Sequence, residues 1–285
     1  MRILIIGGNG FIGSHLAELL CKKNKVFVFD KQISRKKIKN ISYIKGDILN
    51  FDHLVSNMHQ IDIVFNFAAI ADIDVAANLP LQTAQINILG SINIFKACLK
   101  KKVKKIIHAS TIYVDSNEGN FYAISKRCAE DYLIQYNKNY KLNYTILRFG
   151  SLYGERADRN NGIERIINNL INKKKLIYRG TSKASRKYIY VKDAVKACEK
   201  VISKKFDNQC LTITGNRLFR IKKIMLHLKQ KYKIKSLKFL NEKNTSHYNI
   251  QPSPYKKIIS KNYTMEKETP FFKKIIELIE SKKKR

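Results

Sequence analysis

Acidic residues are scarce in this chain, and the imbalance is large: 22 Asp and Glu stand against 56 Lys and Arg, a formal net charge of +34. Metal-ligand spacing is missing. The five cysteines (Cys21, Cys98, Cys128, Cys198 and Cys210) are isolated, with no Cys-x-x-Cys and no Cys/His pairing. That excludes a disulfide framework or a metal centre built on cysteine, and points to small buried apolar groups in a reducing compartment. No apolar run approaches the length of a membrane span, and no internal repeat is visible. The chain runs at once into an apolar strand with no secretory leader ahead of it, so the cytoplasm is the expected compartment.

The positive excess suits nucleic acid, anionic membrane or phosphorylated small molecules. It is mostly lysine, scattered from Lys22 to Lys284 in a chain equally rich in Ile and Asn, the pattern that AT-rich coding produces. No basic stretch interleaved with aromatics, as a base-stacking platform needs, stands out. Nucleic acid is therefore not the expected partner, although charge alone does not exclude it. An apolar content of 44% is ordinary for a folded protein, and the length suits one large domain or two small ones.

The first half alternates short apolar runs with helical patterns. Strands are expected at Ile3–Ile6, Lys25–Phe29, Ile41–Ile44, Ile61–Phe67, Lys104–Ala109 and Tyr144–Phe149. Helices are expected at Ile12–Cys21, Asp52–Met58, Asn87–Lys101 and Ser125–Asn137. This alternation implies an α/β fold, a Rossmann-type doubly wound parallel sheet. Beyond Gly150 the pattern loosens, with helices at Ile163–Asn172, Ile221–Lys231 and Phe271–Ile279. Tyr188–Val191 followed by Asp193–Ile202 reads as a strand and helix returning to the main sheet, and Lys282–Arg285 as a solvated, frayed tail. The expected organisation is a larger domain at 1–150, with 188–214 returning to it. A smaller region occupies 151–187 and 215–285.

Two motifs carry chemistry. Gly7-Gly8-Asn9-Gly10-Phe11-Ile12-Gly13 lies between the first strand and the first helix. Glycines at this spacing allow a tight turn, close approach of backbone to a pyrophosphate, and close helix–strand packing, while the helix N-terminus faces the phosphates. Asp30 ends the second strand, where a carboxylate accepts the ribose hydroxyls of NAD and repels a 2′-phosphate. Lys31 and Arg35 beside it leave room for NADP. The second motif is Tyr122-Ala123-Ile124-Ser125-Lys126, which places a phenol and an ammonium on one helix face. A free phenol has a pKa near ~10; a nearby ammonium and an oxidised nicotinamide are expected to lower it into the range of a general base. Ser110-Thr111, at the carboxyl end of the Lys104–Ala109 strand, supplies a hydroxyl to hold a substrate oxygen.

With Gly46-Asp47-Ile48, Asn66-Phe67-Ala68-Ala69 and Asn87-Ile88-Leu89-Gly90 added, these residues resemble the extended short-chain dehydrogenases/reductases. More narrowly they resemble the NAD-dependent nucleotide-sugar epimerases and dehydratases. The likeness covers about residues 1–200 well and the C-terminal part poorly. It implies that NAD is the cofactor, that Asp47 and Ile48 contact adenine, and that Ala68 and Ala69 line the dinucleotide, with Asn87 among the cofactor contacts. It implies that Lys126 binds the nicotinamide ribose, that Tyr122 is the catalytic base and that Thr111 occupies the catalytic hydroxyl position. Arg156 and Arg186 resemble the family's substrate-side arginines, suited to a bidentate grip on a diphosphate, while Arg148 reads as structural. A homodimer formed through the Asn87–Lys101 and Tyr122–Lys126 helices is also implied.

The chain departs from the family in telling places. Asp115-Ser116 stand where Tyr-Gly is usual, Lys187 replaces an Asp, and the gap from Thr111 to Tyr122 is short. The Asp-Glu pair that the family's 4,6-dehydratases carry after the catalytic hydroxyl is here Ile112-Tyr113, and the decarboxylases' Glu is missing as well. Neither residue does that proton work at neutral pH. The expected reaction is epimerisation of a nucleotide-diphosphate sugar through a transient keto-sugar. The alternatives are NAD(P)-dependent reduction of a keto-sugar or other carbonyl, and a non-catalytic relative that binds nucleic acid.

Overall fold

A computed structural model of the chain describes residues 1–32, 37–116, 118–240, 260–265 and 267–284. In chain order the first elements are β1 (Arg2–Ile6), α1 (Phe11–Leu20), β2 (Lys25–Asp30), β3 (Ile41–Lys45), α2 (Phe51–Ser56) and β4 (Ile63–Asn66). Next come α3 (Ile73–Asn78), α4 (Pro80–Ala84), a π turn at Gln85–Leu89, α5 (Gly90–Lys100) and β5 (Lys105–Thr111). A 3-10 turn at Ile112–Asp115 leads to α6 (Asn120–Tyr140) and β6 (Tyr144–Phe149). Then follow β7 (Ser151–Tyr153), α7 (Gly162–Lys173), β8 (Lys175–Arg179), β9 (Ser185–Tyr190), α8 (Val191–Lys200) and β10 (Gln209–Ile213). The chain closes with β11 (Leu218–Arg220), α9 (Ile221–Lys231), β12 (Ser236–Leu240), β13 (Lys261–Asn262) and α10 (Phe271–Lys283).

The chain divides into two units, the first holding Met1–Phe149, Val195–Ile213 and a segment ending at Tyr263. Its sheet has the order β13-β10-β6-β5-β4-β1-β2-β3, and every neighbouring pair is parallel. Parallel strands are covered by helices on both faces, so they are largely apolar. Ile3, Leu4, Ile5 and Ile6 are all fully buried, as are Ile146 and Leu147 in β6. From the helical side Leu54, Ile94, Phe95, Cys98 and Leu133 pack against Leu4, Ile6, Val64, Ile106 and Ile146; each such side chain stabilises by roughly 1.5–3 kcal/mol. Successive strands run outward from β1 to β3, then reverse from β4 onward. The reversal opens a crevice at the carboxyl ends of β1 and β4, the place where such sheets bind ligands.

The second unit begins at Gly150, gives the chain back at Val195, and resumes at Thr214 and Thr264. In it β9 pairs parallel with β7 and antiparallel with β11, and β8 pairs parallel with β12. Ile163, Ile166, Ile167 and Leu170 form the buried stripe of α7, and Phe271 stacks on Phe219 and Tyr188.

Two sequence expectations need correction. Tyr188–Val191 does not return to the main sheet. The polar first half of β9 (Ser185, Arg186, Lys187) suits a small sheet, and the strand that rejoins the main one is β10, whose Gln209 and Thr212 mask its periodicity. Nor is the tail frayed at Lys282: α10 extends to Lys283, and the Lys282 ammonium pairs with Glu164 on α7. Cys98, Cys198 and Cys210 are buried, while Cys21 and Cys128 are half-buried. No helix among the described residues is long and apolar enough to cross a membrane.

Candidate active site

The glycine-rich turn lies at the β1 side of the crevice. Gly7 has φ +75°, and a Cβ there would come 2.6 Å from the Ala68 nitrogen in the segment after β4. At Gly13 a Cβ would come 2.5 Å from the Gly7 carbonyl, so only glycine lets α1 close onto the turn. α1 starts at Gly10 without a side-chain cap, which leaves its positive end open to an anion. Asp30 lies alongside: Oδ2 accepts from Asn9 N at 2.9 Å and Oδ1 from Gln32 N at 3.0 Å. These bonds hold the carboxylate in one orientation beside the turn. Turn, helix end and acid together fit a dinucleotide.

The other sequence-selected groups are distributed around that crevice. Asp47 accepts from Leu49 N at 2.9 Å and pairs with Lys31 at 3.2 Å; the Leu49 amide first, with help from Lys31, pulls its carboxyl below the ordinary value. Lys31 is thus engaged by Asp47, and Arg35 lies outside the described residues. Ile48 is buried under Gly90, where a Cβ would come 2.4 Å from Ile48 Cδ1. Ala68 N donates to Asn66 Oδ1 at 3.2 Å, and Ala69 is half-buried beside it. Asn87 sits in the π turn, fully buried. Its Oδ1 accepts from Ile70 N at 2.8 Å, and its Nδ2 donates to Ile70 O at 3.0 Å and Ser125 Oγ at 2.9 Å. Its amide therefore brackets the loop after β4 to α6, and a fourfold helical spacing alone does not disclose that.

Thr111, Tyr122 and Lys126 are brought together. Thr111 is the last residue of β5 and accepts from Tyr113 N at 3.3 Å, capping the 3-10 turn. The Thr111 hydroxyl favours the ionised form of the Tyr122 phenol. The protein alone sets burial against that lowering. Lys126 is buried and its Nζ donates to Ala109 O at 2.8 Å. Burial lowers Lys126 to about 8, opposed by Glu130. Burial also raises Tyr122 to about 12, Thr111 opposing and Tyr113 adding to the rise. In the protein alone, desolvation outweighs any help from the ammonium.

In the second unit Arg156 is exposed with φ +65°. Arg186, on β9, donates from Nη1 to Ser185 O at 2.9 Å. Neither lines the unit's cavity of about 390 Å³, whose walls include Arg159, Arg165, Lys173, Tyr178 and Arg179. Sequence reasoning passed over these cations. The available signal was the helical spacing of Arg165, Asn169 and Lys173 opposite the buried stripe of α7.

A parallel sheet with its glycine-rich turn at the reversal point, and a Tyr-x-x-x-Lys helix beside a strand-end hydroxyl, define an extended short-chain dehydrogenase/reductase. The chain belongs to the NAD dependent epimerase/dehydratase family, whose model matches residues 3–212. It is 33% identical to a dTDP-D-glucose 4,6-dehydratase of Dictyostelium discoideum, a match over 71% of this chain that spans 56% of that protein. It is 31% identical to a UDP-N-acetyl-alpha-D-glucosaminuronate decarboxylase of Bacillus cytotoxicus, covering 74% of each chain. Among solved structures, the UDP-glucose 4-epimerase of Thermotoga maritima with UDP-glucose superposes with a TM-score of 0.78 at 27% identity, covering 87% of this chain and 88% of that one. The UDP-N-acetylglucosamine 4-epimerase of Methanobrevibacter ruminantium, in complex with UDP-N-acetylmuramic acid, superposes with 0.81 at 25% identity, covering 98% and 97%.

Proposed function

We propose that this protein uses NAD to epimerise a nucleotide-diphosphate sugar through a transient keto-sugar. The observation that carries the reading is the turn after Thr111. Dehydratases and decarboxylases of the family need a carboxylate at one of its first two positions; here they are Ile112 and Tyr113. The turn's own carboxylate, Asp115, is held by Arg148 at 2.5 Å. With Tyr122 as the proton-transfer group and Thr111 as the hydroxyl, the site suits reversible oxidation at a single carbon.

In this reading Gly7, Gly10, Phe11, Ile12 and Gly13 seat the pyrophosphate, Asp30 the ribose, and Asp47 and Ile48 the adenine, while Ala68 and Ala69 line the dinucleotide and Lys31 and Asn87 are among its contacts. NAD supplies reversible hydride acceptance at the sugar carbon. Tyr122 takes the proton of the sugar hydroxyl, Thr111 holds that oxygen, and Tyr122 returns the proton after the ketone has turned over. Lys126 binds the nicotinamide ribose, and Arg156 and Arg186 take the diphosphate. In calorimetric titration the protein should bind NAD. The NAD-loaded protein should then convert a member of a UDP-hexose panel to its epimer without net NADH, with binding weakened in Arg186→Ala. Steady NADH accumulation without an epimer would move the reaction to the keto-sugar reductase, and salt-sensitive RNA binding without NAD binding would discard the enzyme reading.

We also propose a homodimer through α5 and α6. Phe121, Ile124 and Tyr132, exposed at 42%, 56% and 45%, form a stripe down one face of α6 with half-buried Cys128, and Leu89 lies exposed at 54% just before α5. Sedimentation at moderate salt, where the high charge is screened, should show a dimer for the wild type and a monomer for Ile124→Glu. A wild-type monomer under these conditions contradicts the assignment.

A further inference from the structure

One buried guanidinium ties the Thr111 turn to the helix that carries Tyr122 and Lys126. Arg148, on β6, is 1% exposed. Its Nε donates to Glu130 Oε1 at 3.0 Å and its Nη2 to Glu130 Oε2 at 2.6 Å, a two-pronged grip on a fully buried carboxylate. Glu130 is one helical turn beyond Lys126 on α6. The remaining arm, Nη1, donates to Asp115 Oδ2 at 2.5 Å, and Asp115 is the last residue of the 3-10 turn that Thr111 caps. The same turn is held a second time from α6: Arg127 Nε donates to Val114 O at 2.9 Å and Arg127 Nη2 to Ser116 O at 3.3 Å.

We propose that Asp115 and Arg148 are positioning residues: the Glu130–Arg148–Asp115 bridge sets the register of the Thr111 turn on α6, and with it the meeting of the Thr111 hydroxyl and the Tyr122 phenol. Only a guanidinium has the planar fork to grip one carboxylate with two donors and reach a second with a third. Asp115 supplies an acceptor for that third arm, whose guanidinium is buried, where losing a partner is costly. This accounts for the sequence departure, because Asp115 stands where the resembled family has a tyrosine. The link from Thr111 to Tyr122 is short, so the turn is set on the helix by this bridge together with the Arg127 bonds to Val114 O and Ser116 O. The inference rests on the reading of Thr111 and Tyr122 as the reacting pair.

The test uses the full chain labelled with 13Cζ-tyrosine. The Tyr122 resonance is the one that disappears in Tyr122→Phe, and Thr111→Ala calibrates how far it moves when the hydroxyl is lost. Asp115→Ala should move it most of that distance, and Asp115→Asn, which keeps an oxygen for Arg148, should bring it back. With a UDP-hexose that the wild type converts, Asp115→Ala should lower turnover roughly tenfold to a hundredfold at unchanged KM, as a small misplacement of reacting groups does. Asp115 keeps 41% of its side chain in solvent, so the alanine variant should fold, and its melting temperature is recorded beside the spectrum. A lower melting temperature with the Tyr122 resonance unmoved would mean a merely structural bridge and would overturn the proposal. A Thr111→Ala variant that leaves the resonance in place would instead overturn the Thr111–Tyr122 pairing on which it rests.

Discussion

Replacing Tyr122 by Phe is expected to lower turnover by about a thousandfold, within the range that a positioned proton-transfer group supplies. The ring remains, so packing is preserved, and the glycine-rich turn and Asp30 lie elsewhere, so NAD affinity should change little. The pH dependence sharpens the test. In the protein alone, burial pushes Tyr122 up to about 12, with the Tyr113 phenol adding to the rise and Thr111 opposing it. Below that value the ionised fraction grows tenfold with each pH unit. The turnover of the wild type should therefore climb from pH 6 toward pH 8 with a logarithmic slope near one. Near about 8 Lys126, lowered by burial, begins to lose its charge, and the climb should flatten. The phenylalanine variant should show a low rate without the climb. A Tyr122→Phe enzyme within a few-fold of wild type, or a wild type whose rate falls over this interval, would remove Tyr122 from the role of base.

Arg148→Ala should cost about 3–5 kcal/mol of folding stability, the range for removing one partner of a buried ion pair. That is a large share of the roughly 5–15 kcal/mol that holds a domain together. Glu130 would remain fully buried without its guanidinium. Burial already raises the Glu130 carboxyl, with Arg148 holding it back, so removing Arg148 lets it rise further. A carboxyl whose folded pKa lies above its unfolded value binds more protons folded than unfolded, so the variant loses stability as pH rises. Urea melts should show the gap from wild type widening between pH 5 and pH 8. Replacing both partners together (Arg148→Met with Glu130→Leu) should recover much of the loss, because the buried charge then disappears. A single-variant loss under about 1 kcal/mol would show that Glu130 finds another partner.

The sheet was legible in the sequence because parallel strands with both faces covered are built on largely apolar runs. Arg2–Ile6, Lys25–Asp30 and Tyr144–Phe149 announce themselves in that way. The glycine-rich turn was legible because its requirements are local: a positive φ at Gly7 and no room for a Cβ at Gly13 follow from the turn itself. Asp30 and the Tyr122–Lys126 pair could be found because a strand end and one turn of helix fix where they lie. The small sheet of the second unit escaped, because strands as short as Ser151–Tyr153 and Leu218–Arg220 have too few residues for a period to emerge.

By itself, then, the sequence determined a doubly wound fold with a dinucleotide turn and a phenol–ammonium helix, since each is written in residues close together along the chain. Only the tertiary structure decided what those groups experience. Lys126 turns to the Ala109 carbonyl, burial raises the Tyr122 pKa in the protein alone, and β9 joins a sheet of its own. Asp115, which reads as an anomaly in the sequence, finds a guanidinium that lies 33 residues away. Desolvation and long-range ion pairing depend on which distant segments pack around a group, and no local pattern of residues encodes that.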